Sequence, residues 1–489
     1  MSQQNRGALV RRSLAVIGAA AIALAGMAAG GSAAYATDAP QPGPGDITGT
    51  TGTLTIHKHA GDPGAQGNGT EITDPAALAA LGAGLEGVEF SVQRVNYDGS
   101  PIDLTTDAGW NQAQGAQAGN VSSAPYSLTA QTTTTTGAGG DAIVPNLPYG
   151  LYLVTETSPG ANPVVSPAQP FLVSVPYPNS EDSTWLYNVH VYPKNKLNTT
   201  TPTKTVSEPG NPVLGQELTW MITAPIPPLA EGDTYRKFVV TDDLDERLDL
   251  TGVVVRLDGA ELTEGTDYTL APAALPAAGG PNTTITLTGA LAGLAGKGNV
   301  TVELKTKVTS LGADGKISNK GLVNVNDSLR ETNDEQVNYG PLKIVKKAAQ
   351  NPNYTLAGAE FTLHKSKDGA ALDAPGTLTT NSAGEIVVDG LWTGSGADLT
   401  ETYWLKETKA PAGYALPQGD AAWTQVTVTA GSAASVVPVA ITNTQQQGPN
   451  LPLTGSSGTA MFMAGGLALL LTAGGSALIA ARRKQASAR

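Results

Sequence analysis

Three short patterns recur in the same order near the two ends of this 489-residue chain, and no other feature constrains its architecture as much. L-x-I-x-K occurs as Leu54, Ile56, Lys58 and again as Leu342, Ile344, Lys346. G-x-E-F spans residues 87–90 and 358–361, and Y-x-x-x-E joins Tyr152 to Glu156 and Tyr403 to Glu407. Repetition over three spaced blocks is hard to obtain by chance, so the two segments share a fold. In the first block Leu54 and Ile56 fall on one face of a strand, and Lys58 follows on that same inward face. An apolar face carrying a lysine is unusual.

The rest of the chain reads as strands and turns. GVEFSVQRV and LPYGLYLVTETSPG supply strands to the first segment, and Pro75 after Thr73 or Asp74 opens one short helix within residues 73–85. Between the repeats, GQELTWMITAPI alternates Leu218, Trp220 and Ile222 as a half-buried strand does. KFVVTDDLDERLDLTGVVVRL, TTITLTG, NVTVELKTKV and GKISNKGLVNVN continue the pattern, and GPLKIVKK, LAGAEFTLHKSKDG, TYWLKETKAPAGY and PVAITNTQ form the last segment. With 58 glycines, 33 prolines and few aromatics, the expectation is all-β: three tandem immunoglobulin-like β-sandwich domains, over 45–195, 196–337 and 338–444, with a Thr- and Pro-rich hinge at 197–203. The chain has no cysteine, so disulfides cannot supply its resistance to force or proteolysis.

Both ends carry export signals. Residues 1–36 have a basic start, an apolar stretch and small residues ending in Ala34-Tyr35-Ala36, as a signal peptide cleaved before Thr37 would. Residues 445–450 read as an exposed tether. Residues 451–489 hold LPLTG (Leu451, Pro452, Leu453, Thr454, Gly455), an apolar run at 461–481 of about 20 residues that suffices to span a bilayer, and a basic tail at 482–489. A plain membrane anchor would explain the apolar run and its charges, but not LPLTG immediately before them.

WLYNVHVYPK, residues 185–194, reads as one strand that stops at Pro193 and presents Lys194 beyond the last paired residue. Trp185, Val189, Val191, Tyr192, Pro193 and Lys194 match the WxxxVxVYPK motif, and with LPLTG they make the chain resemble the backbone pilins of Gram-positive bacteria, closest to the actinobacterial major fimbrial subunits. The resemblance implies that a sortase cleaves after Thr454, and that Lys194 of another copy captures the threonine carbonyl. Lys196, two residues past the motif, is the competing lysine. A solvated strand-end lysine is the plainer reading of Lys194, and the complete motif outweighs it.

The outer segments resemble CnaB-type domains and the middle one the CnaA type. The resemblance implies internal amide bonds: Lys346 to Asn443 assisted by Glu407, Lys204 to Asn319 assisted by Asp242, and Lys58 to Asn195 assisted by Glu156. In the last of these, VYPKN departs from the family's VxNT ending. Lys196, Asp243, Asn324 and Asn326 compete in the middle segment, where DDLDE also reads as an acidic surface or a weak calcium site. Burial makes the chemistry feasible, since it disfavours the ammonium of a lysine and the carboxylate of an acid.

A formal charge of −13, more negative once the basic ends are removed, excludes nucleic-acid binding. Four histidines without HExxH or a Cys/His cluster argue against a zinc enzyme, and no cofactor is expected. The chain is therefore expected to be a non-enzymatic shaft subunit, fixed to the cell wall. Its expected partners are a pilin-specific class C sortase, a housekeeping sortase, copies of itself, a tip or minor pilin, peptidoglycan and a host or bacterial surface ligand. The alternative is a wall-anchored adhesin using such domains as a stalk.

Overall fold

The computed structural model describes residues 43–179, 182–432, 434, 436–448 and 463. The expected signal peptide, LPLTG and nearly all of the apolar run and basic tail lie outside them. Among the described residues no helix is long and apolar enough to cross a membrane.

The N-terminal unit is a sandwich. One sheet pairs Thr51–His57 with Asp141–Pro148 antiparallel and with Asn188–Val191 parallel. The facing sheet is built on Glu89–Tyr97, Gly150–Ser158 and Phe171–Val175. Leu54, Ile56 and Val189 of the first meet Phe90, Val92, Tyr152 and Val154 of the second in one core. The expected helix forms at Pro75–Ala80, where Asp74 caps it by accepting from Ala77 N–H at 2.7 Å. A second helix, Asp107–Gln114, was not foreseen. Its Trp110 anchors a satellite core and stacks on Trp185 with ring centroids 5.4 Å apart.

The single strand expected over residues 185–194 is three short ones: Thr184–Leu186, Asn188–Val191 and Lys194–Leu197. Pro193 interrupts the ladder without ending it. Proline lacks only the donor, and its carbonyl accepts from His59 N–H at 3.1 Å, so pairing resumes with Lys194 opposite His59. Lys194 is thus the first residue of a strand and does not lie beyond the sheet.

The middle unit stacks two five-stranded sheets around one core. Glu217–Pro225 buries Leu218, Trp220, Ile222 and Ala224 on its inward face, as the alternation predicts. Part of the expected hinge packs against this unit: Asn198 is buried, and its carbonyl accepts from the Arg330 guanidinium. The C-terminal unit pairs a sheet on Glu335–Ala348 with one on Glu360–His364, Thr400–Lys409 and Trp423–Thr429. The expected boundary at 337/338 falls inside the 14-residue strand Glu335–Ala348. Its first residues pair with Lys316–Asn319 and its last with Val439–Asn443, so one strand serves both units.

Candidate functional site: three buried lysines and one at a groove

Period-two alternation explains why charged groups sit inside each core. Along Thr400–Lys409, Tyr403, Leu405 and Glu407 share the inward face, and along Glu335–Ala348, Leu342, Ile344 and Lys346 do. Val439–Asn443 runs parallel to the lysine strand and places Asn443 opposite Ala348, two residues beyond Lys346 and on the same face. The result is a closed triad. Glu407 Oε2 lies 2.8 Å from Lys346 Nζ, Glu407 Oε1 accepts from Asn443 Nδ2 at 2.6 Å, and Lys346 Nζ donates to Asn443 Oδ1. Phe361 of the repeated G-x-E-F block lies beneath the amine, its ring centre 5.5 Å away.

The N-terminal unit rebuilds this arrangement despite its imperfect motif. Lys58 Nζ is 2.9 Å from Glu156 Oε2 and 2.5 Å from Asn195 Oδ1, and Asn195 Nδ2 donates to Glu156 Oε1 at 2.7 Å. Phe90 takes the place of Phe361, 5.8 Å from the amine. Asn195 arrives by pairing opposite Ala60 in the strand that begins at Lys194, so register delivers the asparagine without a VxNT ending.

In the middle unit Lys204 Nζ contacts Asp242 Oδ2, both side chains being wholly buried, with the Trp220 ring centre 5.5 Å from the amine. Asn319 is buried beside them, its amide close enough to the Asp242 carboxyl to lower the Asp242 pKa. The competing residues lie elsewhere. Lys196 pairs with Asp62 at 2.7 Å, Asp243 is exposed, Asn324 stands opposite Val239 on the outward face of the strand pair that carries Asp242, and Asn326 sits in a turn and accepts from Arg236 and Lys237 N–H. The acidic run does not converge, since Asp242 turns inward while Asp245 binds Arg247. Among the described residues no group of three or more His, Cys, Asp or Glu could hold a metal.

Burial pushes all three lysine amines below the usual lysine value, against the opposing pull of Glu156, Asp242 and Glu407. The same burial raises Asp242 above the usual carboxylate value, against Lys204. Amine and acid are thereby driven towards neutral forms, as attack of an amine on a carboxamide requires.

Lys194 is placed differently. It is partly exposed at one end of a groove of about 460 Å³ and has no ion pair among the described residues. Its side chain crosses Gly61, where an added Cβ would stand 3.6 Å from Lys194 Cδ. Val189, Val191 and Tyr192 also line the groove, facing a glycine-rich segment, residues 64–72. That segment is held by His190 N–H on the Gly69 carbonyl at 2.9 Å and by Ile72 N–H on the Tyr192 hydroxyl at 2.7 Å. Tyr192 stacks on His57, which bridges Asp141 at 2.7 Å and His190 at 2.9 Å. Sequence reading missed this aromatic and histidine support, because its members are distant in the chain. Thr454 and the rest of LPLTG fall outside the described residues.

Three strand-built units, each with a lysine, an acid and an asparagine brought together in its core, followed by an LPLTG anchor signal, define a covalently anchored surface pilin. The comparisons agree along the chain. Residues 49–196 match the family described as Gram-positive pilin subunit D1, N-terminal domain; 199–338 the Sgo0707 N2 domain; 340–444 a prealbumin-like fold domain; and 443–487 the LPXTG cell wall anchor motif. The fimbrial subunit type 2 of Actinomyces naeslundii is 32% identical over 98% of both chains, and the type 1 subunit of Actinomyces viscosus is 29% identical over 88% of this chain and 90% of its own. Among solved structures, the full-length major pilin SpaD of Corynebacterium diphtheriae superposes with a TM-score of 0.58 at 29% identity, covering 81% of this chain and 98% of that one. The major pilin SpaA of the same organism shares the fold with a TM-score of 0.52 at 24% identity, over 81% of this chain and 100% of that one. The chain belongs to the sortase-assembled major pilins of Gram-positive bacteria. It is a structural subunit of the shaft of a surface pilus attached to the cell wall, and not a catalytic enzyme.

Proposed function

We propose that copies are joined through an amide between the Thr454 carbonyl of one chain and Lys194 Nζ of the next. A sortase thiol cleaves LPLTG after Thr454 and holds the threonyl group as a thioester. The neutral Lys194 amine attacks that carbonyl, the thiolate departs, and the proton shed by nitrogen leaves with it or to solvent. The observation that supports this reading is the placement of Lys194: an amine with no ion pair among the described residues, at the end of an open groove, on a strand held on both sides by its neighbours. A pilin-specific class C sortase would catalyse this step, a housekeeping sortase would transfer the finished polymer to peptidoglycan, and a tip or minor pilin would complete it. Adhesion to host or bacterial surfaces, coaggregation and biofilm formation are the roles such a shaft would support.

The three units, read as 45–195, 196–337 and 338–444, would each be closed by one amide: Lys58–Asn195, Lys204–Asn319 and Lys346–Asn443. Each forms once, with loss of one ammonia. In cells carrying the sortases, Lys194→Ala should abolish the detergent-resistant ladder of polymers on a gel, and Lys196→Ala should leave it intact. A ladder that persists in Lys194→Ala refutes the assignment.

A further inference from the structure

The clusters of the two outer units share a glutamate that bridges lysine and asparagine, and they differ at the amide oxygen. Asn443 Oδ1 accepts from the Lys346 amine alone among the described residues. Asn195 Oδ1 accepts from the Lys58 amine and also, at 2.7 Å, from the backbone N–H of Ala168. The two donors have different fates. The Lys58 amine is the nucleophile and gives up its hydrogen bond as it approaches the amide carbon, so Ala168 N–H is the donor that stays where negative charge gathers. Its distance falls in the range of about 2.7–3.1 Å over which a backbone donor serves an oxyanion.

The segment that brings Ala168 there is gripped from two sides. On one side Val164–Ser166 pairs antiparallel with Lys194–Leu197, the strand that carries Asn195, and Ser166 stands opposite Lys196. Pro167 has no N–H to continue the ladder, and the next N–H, that of Ala168, goes to the Asn195 side chain. On the other side the middle unit holds the same three residues. Val165 is wholly buried in the middle core, its carbonyl accepts from Asn326 Nδ2 at 3.1 Å, and Ser166 Oγ accepts from Ala230 N–H at 3.1 Å. Asn326 is fixed in its turn, because its Nδ2 also donates to the Thr234 carbonyl at 3.0 Å and its Oδ1 accepts from Arg236 N–H at 2.7 Å. Ala168 lies two residues past this grip.

We propose that the backbone N–H of Ala168 is the oxyanion donor for the Lys58–Asn195 amide, and that docking of the middle unit on Val164–Ser166 sets it in place. The bond then closes in step with the junction between the two units. This rests on the reading that Lys58 and Asn195 become linked. The neutral Lys58 amine forms the new Cγ–Nζ bond, and the carbonyl electron pair moves onto Oδ1, where Ala168 N–H holds the charge. The pair then returns and the Cγ–Nδ2 bond breaks. Glu156 takes one proton from Nζ through Oε2 and gives one to Nδ2 through Oε1, so ammonia leaves and Glu156 ends with the protons it began with.

Cell-free synthesis of the full chain with lactic acid in place of Ala168 turns that one N–H into an ester oxygen and leaves the side chain as it is. Tandem mass spectrometry of timed digests then follows the branched Lys58–Asn195 peptide, with Lys346–Asn443 as the reference within the same chain. The ester should slow the first by about 10²-fold or more, the loss that follows removal of one oxyanion donor, and leave the second unchanged. Asn326→Gly suits the turn, where Asn326 has a φ of 49°, and releases the Val165 carbonyl, so it should slow the first by about 5-fold. Because Asn326 acts through Ala168, the ester combined with Asn326→Gly should be no slower than the ester alone. Equal rates in wild type and ester overturn the donor role. No slowing in Asn326→Gly, or slowing that multiplies in the combined chain, overturns the coupling to the middle unit. Should the ester chain not fold, Asn326→Gly decides, and a rate equal to wild type overturns the proposal. Absence of any Lys58–Asn195 peptide from wild type would instead overturn the cross-link reading on which the role rests.

Discussion

Glu407→Gln keeps the volume of the side chain between Lys346 and Asn443 and removes its ability to take up and return a proton, so the amide between them should not form. That amide would close a loop whose ends are 97 residues apart. Constraining the unfolded chain over such a span is worth about 4.7 kcal/mol at 25 °C in the chain-entropy treatment of a cross-link. Residues 340–444 behave as a domain of ordinary size, for which each kcal/mol moves the midpoint by about 4–8 °C, so the C-terminal transition should fall by roughly 20 °C or more. Glu407→Gln also leaves the Lys346 amine without its counter-charge, which destabilises in the same direction. Lys346→Met combined with Glu407→Gln removes the amine as well and isolates the cross-link contribution. Calorimetry of the full chain reads the transition, and intact mass reports whether one ammonia has been retained. The reasoning fails if Glu407→Gln still loses that ammonia, or if the double variant melts within about 5 °C of wild type.

Asn443→Ala leaves Lys346 uncoupled and buried, with a folded-state pKa below its ordinary value of 10.5. The unfolded chain then binds the proton more tightly, so the stability of the C-terminal unit should rise with pH between the depressed value and 10.5, as urea titrations across that window would reveal. Gly340→Ala puts a Cβ 1.9 Å from the Thr429 carbonyl oxygen in the strand shared by the middle and C-terminal units. The strand must shift, at a cost of about 1–3 kcal/mol measurable by denaturant unfolding. Trp110→Ala removes the ring stacked on Trp185 and should destabilise the N-terminal unit by about 3–5 kcal/mol, read by thermal melting.

Most of the triads was legible because a strand has a period of two. Once Leu342 and Ile344 are inward, Lys346 must be, and Tyr403 with Leu405 commits Glu407 in the same way. The imperfect ending VYPKN misled only in part, since register against Ala60, and not the letters after Asn195, delivers that asparagine to Lys58. The interruption at Pro193 was misread because sequence records the missing donor and is silent about the carbonyl that His59 still uses.

Alternation along single strands was thus available from the sequence alone: which residues face inward, where the repeats lie and which lysines are enclosed. Pairing between strands was not, because it depends on segments far apart in the chain settling into one register. That register sets Asn319 opposite Glu335, carries Glu335–Ala348 across two units, and brings His57, Asp141 and His190 beneath Tyr192. A local pattern fixes the direction of a side chain, whereas its neighbours follow from the packing of the whole sheet.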